Sequence, residues 1–202
     1  MIVGTLAFCL LAGSALVVLR VMFNGASLGE YVSSLLNRKM RGRIEIATID
    51  WPLSSVTTAV TGGWIPVTIR GVKVWDDSEP RRLILEVEEL TARVDAHSFL
   101  FGNHDYVAED VHVVGNARLL LREEKVREAY KLHPYDIKDY SILSAFRGRP
   151  TKQSFRAGIF ASGGPVFDLR HIQIDDLTVD LELPDKETRG TFHHVTTRCD
   201  EV

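Results

Sequence analysis

The stretch FDLRHIQIDDLTVDL, residues 167–181, decides the fold because its apolar residues follow two different spacings. Within each half they recur at every second position, as at Ile172 and Ile174, which is the period of a β-strand with one buried face. Between the halves the step is three, from Ile174 to Leu177, so a perfectly regular strand would turn the second half toward the opposite face. A bulge adds the residue that restores the buried face and kinks the strand. The stretch therefore predicts a long bent strand or a strand–turn–strand corner.

The same pattern recurs through the body of the chain. Full copies occur at residues 44–51, 67–74 and 85–94, and a weaker copy occurs at residues 106–113. Gly71 lies in the gap of the second copy, where glycine suits a bulge or a bend, and residues 188–197 read as a final strand. One corner that returns at irregular spacing indicates a mainly β fold with a curved antiparallel sheet, which grows strand by strand. An ordinary closed β-sandwich remains the alternative.

An irregular insertion at about residues 122–165 interrupts the repetitive domain, which we assign to residues 43–202. Residues 139–146 carry the sequence DYSILSAF and predict a short helix that caps one end of the sheet. Residues 147–165 contain Gly, Arg and Lys without a strong apolar pattern, so they read as a loop.

The N-terminal segment has the character of a membrane span. Residues 2–19 contain no charged side chain, and residues 21–23 stay apolar after Arg20. About 20 apolar residues in a helix cross a hydrocarbon core of about 30 Å. We therefore expect residues 1–23 to form a transmembrane anchor. A cleaved signal peptide is the alternative, but no Lys or Arg precedes the apolar run, which continues past the small residues 12–15.

A second helix is expected within residues 24–42. Ser27 and Glu30 have the spacing of a capping box. The apolar residues that follow recur at the three- and four-residue steps of one helical face, at Leu28, Tyr31, Val32, Leu35 and Leu36. This amphipathic juxtamembrane helix packs on the β domain, lies at the bilayer surface, or does both. In the second case its basic end would contact anionic headgroups through Arg38, Lys39, Arg41 and Arg43.

Composition and motifs point away from several function classes. The net charge is −3, so there is no basic excess of the kind that nucleic-acid binding requires. Cys9 lies inside the apolar N-terminal run and Cys199 lies near the other end of the sequence, so the two cysteines do not suggest a disulfide framework. Phosphate loops, nucleophile elbows and dinucleotide fingerprints are absent. The sequence therefore predicts a protein that is not an enzyme and that uses no cofactor.

Seven histidines raise the question of a metal site. One set is His97, His104 and Asp105, and another is His193, His194 and Cys199, but neither set has the spacing of a helical pair or a cysteine pair. Neighbouring residues on a strand point to opposite faces, so His193 and His194 are not expected to share a metal. We therefore predict no metal site.

The order of these features resembles the N-terminal region of AsmA-like proteins, which are related to TamB and the chorein-type bridge-like lipid carriers. The residues that carry the resemblance are the apolar span 2–23, the helix GEYVSSLLN at 29–37, the strand GRIEIATIDW at 42–51, and the later strand phrases 67–75, 85–95 and 167–183. The similarity covers most of the chain outside about 122–165, and its specificity comes from the order of the motifs.

The resemblance implies a bacterial inner-membrane protein with a single span and its body in the periplasm. Its sheet would form an open U-shaped groove that shields phospholipid acyl chains, in phospholipid transport or outer-membrane maintenance, with other envelope proteins as further partners. The lining candidates are Ile44, Ile46, Val67, Ile69, Leu85, Val87, Phe167, Leu169, Leu177 and Val179. An anchored β-sandwich scaffold or interaction domain with a closed core is the alternative.

Two features depart from that expectation. The basic residues that follow the span would by themselves place the body in the cytoplasm, and here we follow the resemblance instead. About seven strands at roughly 4.8 Å each make a groove of only about 30 Å. Such a groove is too short to cross a periplasm, so we expect a truncated chain, one that works beside longer partners, or one that is not itself a conduit.

Overall fold

The computed structural model describes residues 25–95, 106–124, 139–148, 163–165, 167–182 and 189–201. The predicted membrane span at residues 1–23 lies outside these ranges. Among the residues that the structure describes, no helix is both long enough and apolar enough to cross a membrane.

The described part of the chain is mainly β. Its six long strands are β1 Arg43–Asp50, β2 Trp64–Trp75, β3 Leu83–Asp95, β4 Tyr106–Glu124, β8 Phe167–Glu182 and β9 Arg189–Glu201. They form one open sheet in the order β1-β2-β3-β4-β8-β9, with β1 and β9 at the edges of this sheet. The short β5, Asp139–Tyr140, pairs with the end of β4, while β6, Arg147–Gly148, and β7, Gly163–Pro165, pair with each other. The predicted final strand is thus present.

The sheet is mixed, which corrects the prediction of a wholly antiparallel sheet. Every neighbouring pair among the six strands is antiparallel except β4 and β8, which run parallel from Tyr106 opposite Phe167 to Arg122 opposite Glu182. A parallel neighbour requires a connection that returns to the strand's starting end. Residues 125–166 make that connection. The irregular insertion predicted from the sequence is therefore the crossover of the sheet.

The three-residue steps of the sequence align across the whole sheet. Ile46 lies opposite Val72 and Ile49 opposite Ile69, so the break in β1 faces the break in β2. The row of Ile46 and Val72 continues through Val87, Ala117, Leu177 and Val195. The row of Ile49 and Ile69 continues through Leu90, Val113, Ile174 and Thr197. We call the residues between the rows, at 47–48, 70–71, 88–89, 114–116, 175–176 and 196, the bulge line. The pairing register shifts there in β3–β4, β4–β8 and β8–β9.

Glycine occupies the bulge line where the backbone is left-handed. Gly71 has φ of 62° and Gly115 has φ of 84°. A side chain at position 71 would also meet Ala47, since an added Cβ would lie 2.8 Å from the Ala47 Cβ. The prediction that Gly71 marks a bulge or bend in its strand is therefore confirmed.

Within the described ranges, three α-helices and one 3₁₀ turn accompany the sheet. Helix α1 spans Ala26–Lys39, and α2, Val56–Thr61, follows the 3₁₀ turn Leu53–Ser55 between β1 and β2. Helix α3, Ser141–Phe146, lies where a short capping helix was predicted. The capping box predicted at Ser27 is wrong. The N-cap of α1 is Gly25, whose φ of 60° and ψ of −125° suit glycine, and no side chain caps the helix.

Candidate functional site

The apolar side chains of the six strands form one packed cluster on both sides of the bulge line. Opposite residues on neighbouring strands share a face of the sheet. The bulges keep the second half of each strand on the same face as the first half. The cluster is therefore one continuous apolar face that runs from β1 to β9.

The predicted lining residues belong to this face wherever the structure describes their side chains. Ile44, Ile46, Val67, Val87 and Leu177 are buried, with exposed fractions of 8% or less. Half-buried side chains that pack against the cluster are Ile69, Leu85, Leu169 and Val179. Phe167 lies in β8, but its side chain is outside the described part of the structure.

Burial of the apolar face declines from the β1 edge to the β9 edge. In β1 the three inward isoleucines at positions 44, 46 and 49 are all buried, and in β2 Ile69 alone of the inward residues is half-buried. In β8 the order is reversed, because among its described inward residues Leu177 alone is buried. In β9 Val195 is half-buried and Phe192 is 55% exposed. The face is thus sealed near β1 and β2 and accessible near β8 and β9.

Helix α1 seals the β1 edge of the sheet through residues four positions apart. Asn37 exchanges two hydrogen bonds with the backbone of Ile44: its Nδ2 donates to the Ile44 carbonyl over 2.9 Å, and its Oδ1 accepts from the Ile44 N–H over 2.7 Å. Ser33 Oγ accepts from the Ile46 N–H at 3.0 Å. Gly25 exchanges backbone hydrogen bonds with Ile49 at 3.1 and 3.2 Å. These bonds take the place of a further strand along this edge.

Gly25, Gly29, Ser33 and Asn37 form a stripe of small and polar residues that faces β1. In this stripe Gly29 lets the helix approach the strand backbone. An added Cβ at Gly29 would lie 2.5 Å from the Ile46 carbonyl oxygen and 3.1 Å from that of Ala47. Sequence reasoning followed the apolar face of α1 and missed the small and polar stripe. The recurrence of Gly25, Gly29, Ser33 and Asn37 at four-residue steps was the available signal.

The segment that follows β5 contacts the turn after α1 through backbone hydrogen bonds. The Gly42 N–H donates to the Ala145 carbonyl at 3.0 Å, and Met40 forms a bridge with Gly148. From the same region, the Ser141 hydroxyl donates to the Leu120 carbonyl at 3.4 Å. These contacts place α3 at the end of the sheet where β1 begins and β4 ends.

The predicted basic patch divides into two kinds of residue. Arg38 and Lys39 are exposed at the end of α1. Arg41 is 5% exposed and its Nε donates to the Gly148 carbonyl, so its side chain does not present a charge at the surface. Arg43 is exposed, and its Nη2 lies 2.6 Å from Oε1 of Glu45. Leu28, Val32 and Leu36 of α1 pack against the apolar cluster of the β domain, which confirms that the helix packs there, whereas Tyr31 is 50% exposed.

The other face of the sheet carries charges whose signs alternate between neighbouring strands. Lys73 Nζ lies 3.1 Å from Glu86 Oε1. The Arg70 guanidinium binds Glu89 at 2.6 Å and also Asp50, and its hydrogen bond to Glu89 is the main reason that the pKa of Arg70 is raised. Exposed ion pairs contribute little energy one by one. Their alternation still favours this strand order, because like charges directly opposite each other destabilise a sheet.

Charge contacts also join the parallel strands β4 and β8. Arg118 Nη2 lies 2.7 Å from Asp180 Oδ2. The pKa of Asp180 is lowered first by the hydrogen bond from the Thr191 hydroxyl and then by Arg118. Asp180 therefore links β4, β8 and β9.

Three histidines contact carboxylates of neighbouring strands near the bulges. His112 Nε2 lies 2.7 Å from Asp175 Oδ2, and this hydrogen bond is the main reason that the pKa of Asp175 is lowered. The other two pairs are His171 with Asp110 at 3.4 Å and His194 with Asp176 at 3.1 Å. Asp110, His171 and His194 all have positive φ. Asp175 and Asp176 lie on the bulge line of β8, so they contact histidines of both neighbouring strands there.

A depression of about 870 Å³ lies over the charged face near the bulge line. Its lining includes Glu86, Glu88, Arg118, Asp180 and His193. Charged walls of this kind do not suit an acyl chain, because covering charged side chains with hydrocarbon removes them from water at a cost. The apolar face is therefore the better surface for an acyl chain.

Within the described ranges no three His, Cys, Asp or Glu side chains lie close enough together to hold a metal. His97, His104 and Asp105 fall outside those ranges. In comparisons with known proteins, no family model, no curated protein and no solved structure matches this chain.

Proposed function

We propose that this chain is a membrane-anchored, non-catalytic module that binds phospholipid acyl chains on the apolar face of its sheet. It would take part in phospholipid transport or outer-membrane maintenance from the bacterial inner membrane, with its body in the periplasm. The observation that carries the proposal is the uneven burial of one continuous apolar face. Half-buried Leu169, Ile172, Ile174 and Val179 leave apolar surface available along β8.

The arrangement of the closed parts supports contact with lipid at β8 and β9. Helix α1 closes the β1 edge, and α3 lies at one end of the sheet. Acyl chains gain free energy when they leave water for apolar surface, at roughly 25 cal/mol per Å². The half-buried side chains of β8 and the exposed Phe192 of β9 provide such surface. The predicted open U-shaped groove would then have its lipid-accessible part at this end of the sheet.

An anchored scaffold or interaction domain with a closed core is the second candidate. It is favoured by the full burial of the inward isoleucines of β1 and of Val72 and Val74 in β2. In this reading the apolar face is a protein core throughout, and the half-buried residues of β8 are its margin. The two candidates differ in whether lipid contacts β8.

Photo-crosslinking of the full chain in bacterial membranes separates the two candidates. A photoreactive amino acid is placed at Val179 and, in a matched variant, at Thr178. Residue 178 is the next position on β8 and points to the opposite face. After irradiation, phospholipid adducts on the purified protein are detected by mass spectrometry.

We expect adducts at Val179 and at most traces at Thr178. A third probe at Leu169 should behave like the probe at Val179. The lipid proposal is wrong if Val179 yields no adduct in a folded protein, or if Thr178 yields as much as Val179. Absence of adducts at Val179 and Leu169 together would favour the closed scaffold.

Aspartate substitutions provide an independent comparison. Leu169 is half-buried, so Leu169→Asp should leave the protein folded and reduce the lipid adducts at a probe on Val179. Val87 is 4% exposed between Val72 and Ala117, so Val87→Asp should cost several kcal/mol and unfold the domain. If Leu169→Asp also unfolds the domain, the face is a closed core at β8.

A further inference from the structure

Three arginines surround one carboxylate at the end of the sheet where β8 ends and β9 begins. In the strand pairing, Glu182 lies opposite Arg122 of β4 and opposite Arg189 of β9. Arg82, which directly precedes β3, contacts the same carboxylate. The charged face therefore carries three guanidinium groups side by side across this end of the sheet. We call Arg82, Arg122 and Arg189 the arginine row.

The distances within the arginine row differ from those of a neighbouring ion pair on the same face. The Glu182 carboxylate lies 3.6 Å from Arg82 Nη1, 3.9 Å from Arg122 Nε and 3.9 Å from Arg189 Nε. Separations of this size are ion pairs without hydrogen bonds. By contrast, Arg118 Nη2 lies 2.7 Å from Asp180 Oδ2. Glu182 therefore does not use up the hydrogen-bond donors of the row.

The charges at this end of the sheet do not balance. The three positive charges of the arginine row share the single negative charge of Glu182, whereas Asp180, two residues away on β8, is paired with Arg118. Each guanidinium carries several N–H donors in a fixed fork, which matches two oxygens of a carboxylate or a phosphate at once. The surplus of positive charge and of donors favours an anionic ligand with several acceptor oxygens.

A second depression, of about 510 Å³, lies beside the arginine row. Its lining includes Glu182, Arg189, Gly190 and Thr191. Volumes of about 300–1,000 Å³ are typical of sites for small molecules. The depression can therefore accept a phosphate group together with the first part of the molecule that carries it.

We propose that the arginine row binds a phosphate group, either in the headgroup of a phospholipid or in a soluble phosphorylated compound. Glu182 reduces the mutual repulsion of the three guanidinium groups, and a phosphate supplies the negative charge that they still lack. Clusters of arginine are a recurring means of recognising phosphate. The row lies on the charged face, so this proposal goes beyond the binding of acyl chains on the apolar face and does not depend on it.

Isothermal titration calorimetry of the full chain in a nonionic detergent tests the site with two probes. One probe is inorganic phosphate, and the other is dihexanoylphosphatidic acid, a short-chain phospholipid. The double variant Arg122→Gln with Arg189→Gln removes two charges of the row. It should weaken binding at least about tenfold, because one hydrogen bond between charged groups already accounts for about that factor.

The matched control is Arg93→Gln, which removes an exposed arginine of the same face. Arg93 Nη1 lies 3.1 Å from Glu109 Oε1 and 3.1 Å from Asp110 Oδ2, so its charge is already balanced by carboxylates. Arg93→Gln should leave the affinity for both probes unchanged. Equal weakening by Arg93→Gln and by the double variant would overturn the proposal, because phosphate would then respond only to net charge.

The two probes also identify the source of the phosphate. Clearly tighter binding of the phospholipid would identify a headgroup, and comparable affinities would identify a soluble compound. The proposal is overturned if neither probe binds to the folded protein. It is also overturned if the phospholipid binds equally well to the double variant, but that result would leave lipid binding on the apolar face intact.

Glu182→Gln distinguishes a binding site from a purely structural cluster. The substitution keeps the size of the side chain and removes its negative charge, so phosphate binding should tighten several-fold. If the carboxylate only holds the ends of β4, β8 and β9 together, Glu182→Gln should instead lower the midpoint of urea unfolding without tightening phosphate binding. That outcome would contradict the proposed site.

Discussion

Replacing Gly29 by alanine should destabilise the protein, although alanine is the better helix former. In an exposed helical position this change would stabilise by about 1 kcal/mol. In α1 the added Cβ would lie 2.5 Å from the Ile46 carbonyl oxygen, and that oxygen belongs to the backbone of β1. Either the helix or the strand has to move, because neither atom belongs to a flexible side chain.

The expected magnitude follows from overpacking and from the hydrogen bonds beside it. Overpacking a close contact typically costs about 1–3 kcal/mol. Moving α1 outward would also stretch the bonds of Ser33 to Ile46 and of Asn37 to Ile44. Each such bond contributes about 1 kcal/mol. After the gain in helix propensity is subtracted, we expect a net loss of about 2–4 kcal/mol in the free energy of unfolding.

Urea unfolding of the full chain in mild detergent, followed by circular dichroism, measures this loss. The matched control is Ser34→Ala, on the exposed side of the same helix, which should be neutral or slightly stabilising. The midpoint for Gly29→Ala should fall while that for Ser34→Ala stays unchanged or rises. If Gly29→Ala stabilises the protein as propensity alone predicts, α1 does not pack on β1 in this way.

Two further predictions concern single carboxylates. Asp76 is 1% exposed, and its Oδ1 accepts hydrogen bonds from the N–H and hydroxyl of Ser78 and from the N–H of Arg82, so it holds the β2–β3 turn. Asp76→Ala should therefore lower the free energy of unfolding by about 2–4 kcal/mol in the same urea assay, and a loss below 1 would contradict this role. The pKa of Asp175 is lowered in the folded state, so its stabilisation is present above about pH 4 and is lost as the pH falls through the folded-state pKa. His112→Ala should make the fall in stability below pH 4 shallower, and an unchanged pH profile would show that this hydrogen bond does not contribute.

The bulges were predictable from the sequence because the binary pattern fixes which residues share a face. The step from Ile46 to Ile49 and the step from Ile174 to Leu177 require an extra residue if both sides of the step are buried. The pattern also placed Gly71 where the backbone is left-handed. The alignment of the three-residue steps of all six strands in one line was not predictable, because it depends on the pairing register between strands and the sequence of one strand does not specify that register.

The parallel pairing of β4 and β8 was not predictable in the same way. Two strands with one apolar face each can pair in either direction and bury the same side chains. The direction depends on the path of residues 125–166, whose local pattern is irregular. The cross-strand contacts Arg118–Asp180 and His112–Asp175 agree with the parallel register, but their partners lie about 60 residues apart. The spacing of these residues in the sequence therefore did not indicate that β4 and β8 are parallel.

The stripe on α1 was missed for a different physical reason. Amphipathic reasoning looks for apolar residues, whereas the side of a helix that covers a strand edge needs small residues and hydrogen-bonding groups. Ser33 and Asn37 satisfy backbone groups of β1 that a neighbouring strand would otherwise bind. Unpaired edge groups invite association with other chains, so this helix acts as a terminator of the sheet.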